Sequence, residues 1–157
     1  MGNADRVIDL REDIDFIEQY IRLRNNYCDL LATDPVNAAG TAAWLDRSDV
    51  EIRGIVRDNR LVGISILYLE RNGEIALFSE IKGSGLGGTL LSIIEKVARA
   101  RSLQEVWAWV LIENAIAQRA FLKAGYRKEK KLEKLFHNET LEGVVFKKEL
   151  SEDNISE

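Results

Sequence analysis

Only one cysteine, Cys28, occurs in 157 residues, which excludes an internal disulfide. In a stretch that continues to Leu30 and Leu31, it reads as a small packed side chain rather than a catalytic thiol. The single proline, Pro35, follows Asp34 and breaks the chain once. The one histidine, His137, stands in a polar His-Asn-Glu stretch that reads as a surface hairpin turn. No metal site is expected. No apolar run approaches the ~18 residues that span a bilayer, and residues 1–10 are polar and acidic without a signal-like apolar segment. A cytoplasmic protein with no membrane partner is therefore expected. Basic helices with interleaved aromatics are also missing, and the pI of about 5.2 is acidic, so no nucleic-acid partner is expected.

What is present is a globular composition, 46% apolar and 31% charged, too apolar for a disordered chain. The length suits one core rather than two, so a single domain over residues 1–150 is expected, with a polar tail at 151–157. A monomer or a homodimer is expected. The net charge of -4 is unevenly spread: residues 82–134 carry 11 Lys and Arg against 5 Asp and Glu, while residues 1–81 carry 9 against 15. That asymmetry suits a polyanionic cofactor on one side and a cationic partner on the other.

The hydrophobic period changes along the chain. A short strand at Arg6–Leu10 is followed by a helix from about Glu12 with Ile14, Phe16, Ile17, Ile21 and Leu23 as its apolar stripe. After Asp34-Pro35 a second helix runs from Val36 to Leu45. Val50–Val56, Leu61–Leu69 and Glu74–Ile81 read as strands joined by turns at Asp58-Asn59 and Arg71-Asn72-Gly73, an antiparallel meander. A glycine loop then leads into a helix marked by Leu86, Leu90, Leu91, Ile94, Val97 and Ala98. Glu105–Ile112 reads as a strand, Asn114–Lys123 as a helix stopped by Gly125, and Tyr126–Leu132 with Leu141–Leu150 as a closing hairpin. The fold class is α+β: a mixed, mostly antiparallel sheet with one crossover helix in its middle and helices on both faces.

The loop Lys82-Gly83-Ser84-Gly85-Leu86-Gly87-Gly88 is the feature richest in chemistry. A helix start offers unpaired N–H groups and partial positive charge, and glycines let that backbone close around phosphate oxygens. Gly83-x-Gly85-x-x-Gly88 also satisfies the dinucleotide fingerprint. Three hairpin-connected strands precede it, however, and too little chain follows to complete a doubly wound sheet. No Gly-Lys-Ser/Thr follows either, which argues against nucleoside triphosphate chemistry.

The sequence resembles the Gcn5-related N-acetyltransferases (GNAT). Their pyrophosphate loop, Gln/Arg-x-x-Gly-x-Gly/Ala, is matched by Lys82 to Gly87 with Lys in first place. Their downstream Asn-x-x-Ala-x-x-x-Tyr-x-x-x-Gly-Phe is matched by Asn114, Ala117, Phe121, Gly125 and Tyr126. The resemblance implies an acyl-CoA N-acyltransferase fold and an enzyme that uses acetyl-CoA as co-substrate. Its cofactor-binding residues would be Ile75, Ala76 and Leu77 toward the pantetheine, Lys82, Gly83, Ser84, Gly85, Leu86, Gly87 and Gly88 around the pyrophosphate, with Asn114 and Phe121 beside them. Asn114 also reads as a helix N-cap.

Two family positions differ. Trp109 stands where some members carry a glutamate base, and Phe121 replaces the tyrosine that protonates the leaving thiolate. Glu80 is the leading carboxylate candidate for base, Glu74 the second, and Tyr126 or Tyr68 the candidate acid. Trp107 and Trp109 face one side of their strand, where packing is their default role. The implied reaction is direct acetyl transfer to a primary amine of a small molecule, an amino sugar or polyamine. Protein N-terminal or lysine acetylation, a non-catalytic acyl-CoA-binding module and a dinucleotide-binding protein are the alternatives.

Overall fold

The computed structural model describes residues 5–27, 34–80 and 85–150. Cys28, Ile81, Lys82, Gly83, Ser84 and the expected tail at 151–157 lie outside the described residues. Seven strands form one sheet: β1 (Arg6–Asp9), β2 (Val50–Arg57), β3 (Arg60–Tyr68), β4 (Glu74–Ser79), β5 (Glu105–Leu111), β6 (Arg127–Phe136) and β7 (Glu139–Glu149). Their order is β1-β2-β3-β4-β5-β7-β6, and every neighbouring pair is antiparallel except β4 and β5. Among the described residues four α-helices flank it: α1 (Ile17–Asn25), α2 (Ala38–Leu45), α3 (Leu86–Ala100) and α4 (Ala115–Lys123). Among the described residues no helix is long and apolar enough to cross a membrane.

Local chemistry sets the turns. Asp58 and Asn59 join β2 to β3 with φ of 54° and 65°, and His137 and Asn138 join β6 to β7 with φ of 52° and 64°. Both are two-residue, positive-φ hairpins, whose twist matches that of the flanking strands. His137 is exposed in its turn, beside the Asp34 carboxylate. Asn37 caps α2, its Oδ1 accepting from the Gly40 N–H at 2.8 Å.

Three boundaries differ from the sequence pattern. The turn Ile14–Phe16 is 3-10, which swings Ile14 outward to 64% exposure, and the buried stripe is Phe16, Tyr20 and Leu23 instead. β6 runs on to Phe136; it is an edge strand with both faces wet, so its residues show no apolar alternation. Gly87 and Gly88 lie inside the first turn of α3 rather than in the loop.

The sheet is packed on both faces. On one, Ile52, Ile64, Ile66 and Phe78 meet Phe16, Tyr20, Leu23 and Leu45. On the other, Leu67, Ile75, Val106, Val110 and Phe146 meet Leu91, Ile94, Ala98 and Phe121. β3 lies under both layers and is buried from Leu61 to Tyr68, whereas alternating strands expose every second residue.

Gly125 ends α4 with φ of 95°, as the helix-stop pattern predicts. A Cβ there would meet only the end of the Lys148 side chain, at 3.8 Å, so the cost of substitution is conformational. Gly125→Val is expected to lose about 1–2 kcal/mol of stability with turnover per folded molecule little changed. Thermal melts beside active-site titration check this.

Candidate active site

β4 and β5 are parallel but share one register pair, Glu74 with Trp107, fastened by the Trp107 N–H to the Gly73 carbonyl at 3.1 Å. Beyond it no ladder joins them, and the sheet opens in a V. Backbone polar groups along the parted edges need partners, and an extended ligand can supply them.

Two cavities flank this opening. The larger, about 950 Å³, runs from Leu77, Phe78 and Ser79 past the start of α3 to Arg119 and Lys123 of α4. Gly85 caps α3 in a left-handed conformation, and the first turn holds no acidic residue. A Cβ at Gly85 or Gly88 would meet nothing within 4 Å, so both face open space; at Gly87 it would meet the Ala120 Cβ at 3.3 Å. Gly87 therefore serves the close approach of α3 and α4, while Gly85 and Gly88 leave the groove clear. Free helix N–H groups, absent side chains and nearby cations make a cradle that fits a polyphosphate.

The smaller cavity, about 210 Å³, is lined by Ile75, Ala76 and Leu77 of β4, Ala108, Trp109 and Val110 of β5, and Asn114, Ala117 and Phe121 of α4. Arg24, Ile66, Tyr68, Arg71, Glu74 and Lys134 complete it. Both cavities are lined by Leu77, Asn114 and Ala117, so they meet where the strands part. Asn114 caps α4, its Oδ1 accepting from the Ala117 N–H at 3.2 Å, so only its NH₂ end remains to donate to a ligand.

The acid and base candidates fall differently from their place in the sequence. Glu80 lines neither cavity: Arg60 clasps it, Nε to Oε1 at 2.8 Å and the second guanidinium nitrogen to Oε2 at 2.9 Å. Tyr126 is 3% exposed and donates its hydroxyl to Glu95 Oε2 at 2.8 Å. Burial first, and then the Glu95 charge, push its pKa far up, so this phenol is a poor proton donor. Glu74 lines the smaller cavity, 9% exposed, with Arg71 at 3.3 Å from its Oε1. Tyr68 lines it too, under the Arg71 guanidinium at 4.1 Å.

Phe121 is buried between Phe146, stacked at 5.6 Å, and Tyr126, edge-on at 5.0 Å. Trp109 forms a wall of the smaller cavity; its Nε1–H donates to the Leu132 carbonyl at 2.7 Å. Gly143 makes room for that indole, since a Cβ would lie 2.1 Å from it.

Arg24, Arg71 and Lys134 are the site residues that sequence reasoning missed. Arg24 had a signal: four residues after Tyr20, it continues the buried side of α1. Lys134 sits in a Lys-rich edge strand that looks like a solvated face.

Solved structures of acetyltransferases are similar to this one. A ribosomal-protein-alanine N-acetyltransferase from Brucella melitensis superposes with a TM-score of 0.78 at 18% identity, over 94% of this chain and 99% of that one. A spermidine N-acetyltransferase from Vibrio cholerae, solved with CoA and spermine, gives 0.75 at 15% over 95% and 96%. A phosphinothricin acetyltransferase from Sinorhizobium meliloti, solved with AcCoA, gives 0.78 at 15% over 97% and 90%. These likenesses establish the acyl-CoA N-acyltransferase fold. No curated protein matches the sequence. The family model for the acetyltransferase (GNAT) family matches residues 15–126, which include β4, β5, α3 and α4, and the chain belongs to that family.

Proposed function

We propose that this acetyltransferase takes acetyl-CoA as co-substrate and moves the acetyl group in one step to a primary amine of a small molecule. The observation that carries the reading is the junction of the two cavities at Leu77, Asn114 and Ala117. The larger cavity holds the body of the co-substrate, with the pyrophosphate on the first turn of α3, and the pantetheine passes Leu77 so that the thioester end reaches the junction beside Ala76 and Ile75. The smaller admits the amine, and its 210 Å³ suits a small acceptor better than a protein segment. Dependence on acetyl-CoA suits a cytoplasmic enzyme.

The amine lone pair forms the new N–C bond, the C–S bond breaks, and CoA leaves as the thiolate. β4 N–H groups at the parted edge are placed to stabilise the charge that builds on the thioester oxygen. Glu74, the carboxylate in the acceptor cavity, takes the amine proton, since an amine must be neutral to attack. A leaving thiol with a pKa near that of cysteine, about 8.5, departs at neutral pH with little protonation, so Phe121 in the tyrosine place is compatible with turnover.

Calorimetry against acetyl-CoA, CoA and NAD, followed by thiol release with an amine panel, tests the reading. CoA ligands should bind and NAD should not; binding without thiol release from any amine would leave a binding module.

Gly88→Leu separates the groove from the fold. Leu is a better helix former than Gly by roughly 0.8 kcal/mol, so stability should rise. Acetyl-CoA affinity should fall by about 2 kcal/mol, roughly thirtyfold, because the side chain enters the phosphate position. Unchanged binding in this variant would remove the groove from the co-substrate site.

A further inference from the structure

The smaller cavity has a charge pattern that the reaction itself does not require. Arg24, Arg71 and Lys134 line it against one carboxylate, Glu74, a formal excess of two positive charges. Arg71 is ion-paired with Glu74, and Arg24 donates to the Tyr20 hydroxyl at 2.7 Å while lying 5.3 Å over the Trp44 ring. Lys134 is half-buried on β6, its ammonium 4.5 Å over the Trp109 ring. Among the described residues that ammonium makes no hydrogen bond or ion pair. Burial lowers its pKa, with Glu74 opposing and Arg71 adding to the effect.

A cation withdrawn from water into a cavity is costly unless an anion meets it. Polar recognition of a second group also serves specificity, because a site built to bind a charge rejects the analogue that lacks it. Polyamines are the wrong complement, since every further ammonium would enter beside Arg24, Arg71 and Lys134.

We propose that the acceptor is an amine bearing an anionic group, of the α-amino-acid class, whose carboxylate (or an equivalent phosphonate or phosphinate) is held by Lys134 and Arg24 across the floor of the smaller cavity. This rests on the acetyltransferase reading and names its substrate class. The amine nitrogen loses its proton to Glu74 and attacks at the junction with the co-substrate cavity. The anionic group takes no part in bond making. It orients the amine, so Lys134 is a positioning residue.

Thiol release with acetyl-CoA should be compared for matched pairs: tryptophan with tryptamine, phenylalanine with phenethylamine, and methionine with 3-(methylthio)propylamine, with spermidine and glucosamine alongside. At least one amino acid should exceed its decarboxylated partner about tenfold or more in kcat/KM, and exceed spermidine. Lys134→Met should erase most of that ratio by raising KM for the amino acid, with kcat changed only a few-fold and the KM for acetyl-CoA unchanged. Lys134→Arg should restore part of it. The proposal is overturned if the amine without the acid is served equally well, if spermidine or glucosamine is best, or if Lys134→Met leaves the ratio intact. Those outcomes leave acetyl transfer standing, whereas failure of acetyl-CoA to bind in calorimetry would remove the acetyltransferase reading itself.

Discussion

Phe121→Ala is expected to destabilise the fold by about 3–5 kcal/mol, because it deletes a ring that is 3% exposed and wedged between Phe146 and Tyr126. For a chain of this length each kcal/mol moves the melting midpoint by about 2–4 °C, so a fall of about 10 °C is the expected reading. Acetyl-CoA affinity should weaken as well, since the ring lines the cavity that meets the proposed co-substrate groove. Phe121→Tyr should change the rate by less than about tenfold, because the thiolate leaves without a strong acid. A gain of a hundredfold or more would show that the native protein lacks an acid it can use, and would favour a binding-only member of the family. A melt within 2 °C of the parent for Phe121→Ala would contradict the packing account.

Lys148→Met is expected to cost about 3 kcal/mol. Glu95 is 5% exposed on α3, and its two oxygens are met by the Tyr126 hydroxyl at 2.8 Å and the Lys148 ammonium at 3.1 Å. Lys148 also donates to the Ala124 carbonyl at the end of α4, at 2.9 Å. Removing the cation leaves a buried carboxylate with its charge uncompensated, which is far more costly than the pair is favourable. Glu95→Gln in the same background keeps an acceptor for Tyr126 and removes the charge, so the double variant should recover most of the loss. A chemical-denaturation double-mutant cycle reads the coupling. Additive losses would sink the account.

The two motifs were legible because each is local. Gly85 to Gly88 and Asn114 to Gly125 set turns, caps and helix starts through neighbours a few residues away, and the structure has those helices where the spacing puts them. The meander was legible for the same reason, its positive-φ turns at Asp58-Asn59 and Asn72-Gly73 being a matter of residue type. Ile14 was misread because a 3-10 turn changes the phase of the helix, which periodicity alone does not reveal.

The sequence by itself determined the order of elements, the glycines at the start of α3 and the replacement of two family residues by Trp109 and Phe121. Only the tertiary structure decided what the charged groups do. Arg60 and Glu80, twenty residues apart, become partners because β3 and β4 are antiparallel; Glu95 claims the Tyr126 hydroxyl because α3 and the end of α4 converge. Lys134 and Arg24 line one cavity although 110 positions separate them. A charged side chain on a strand or helix reads as solvated from its own neighbours in sequence. Whether it meets water, a counter-ion or an empty cavity depends on which distant element packs over it, and that same packing sets the cost of leaving it without a partner.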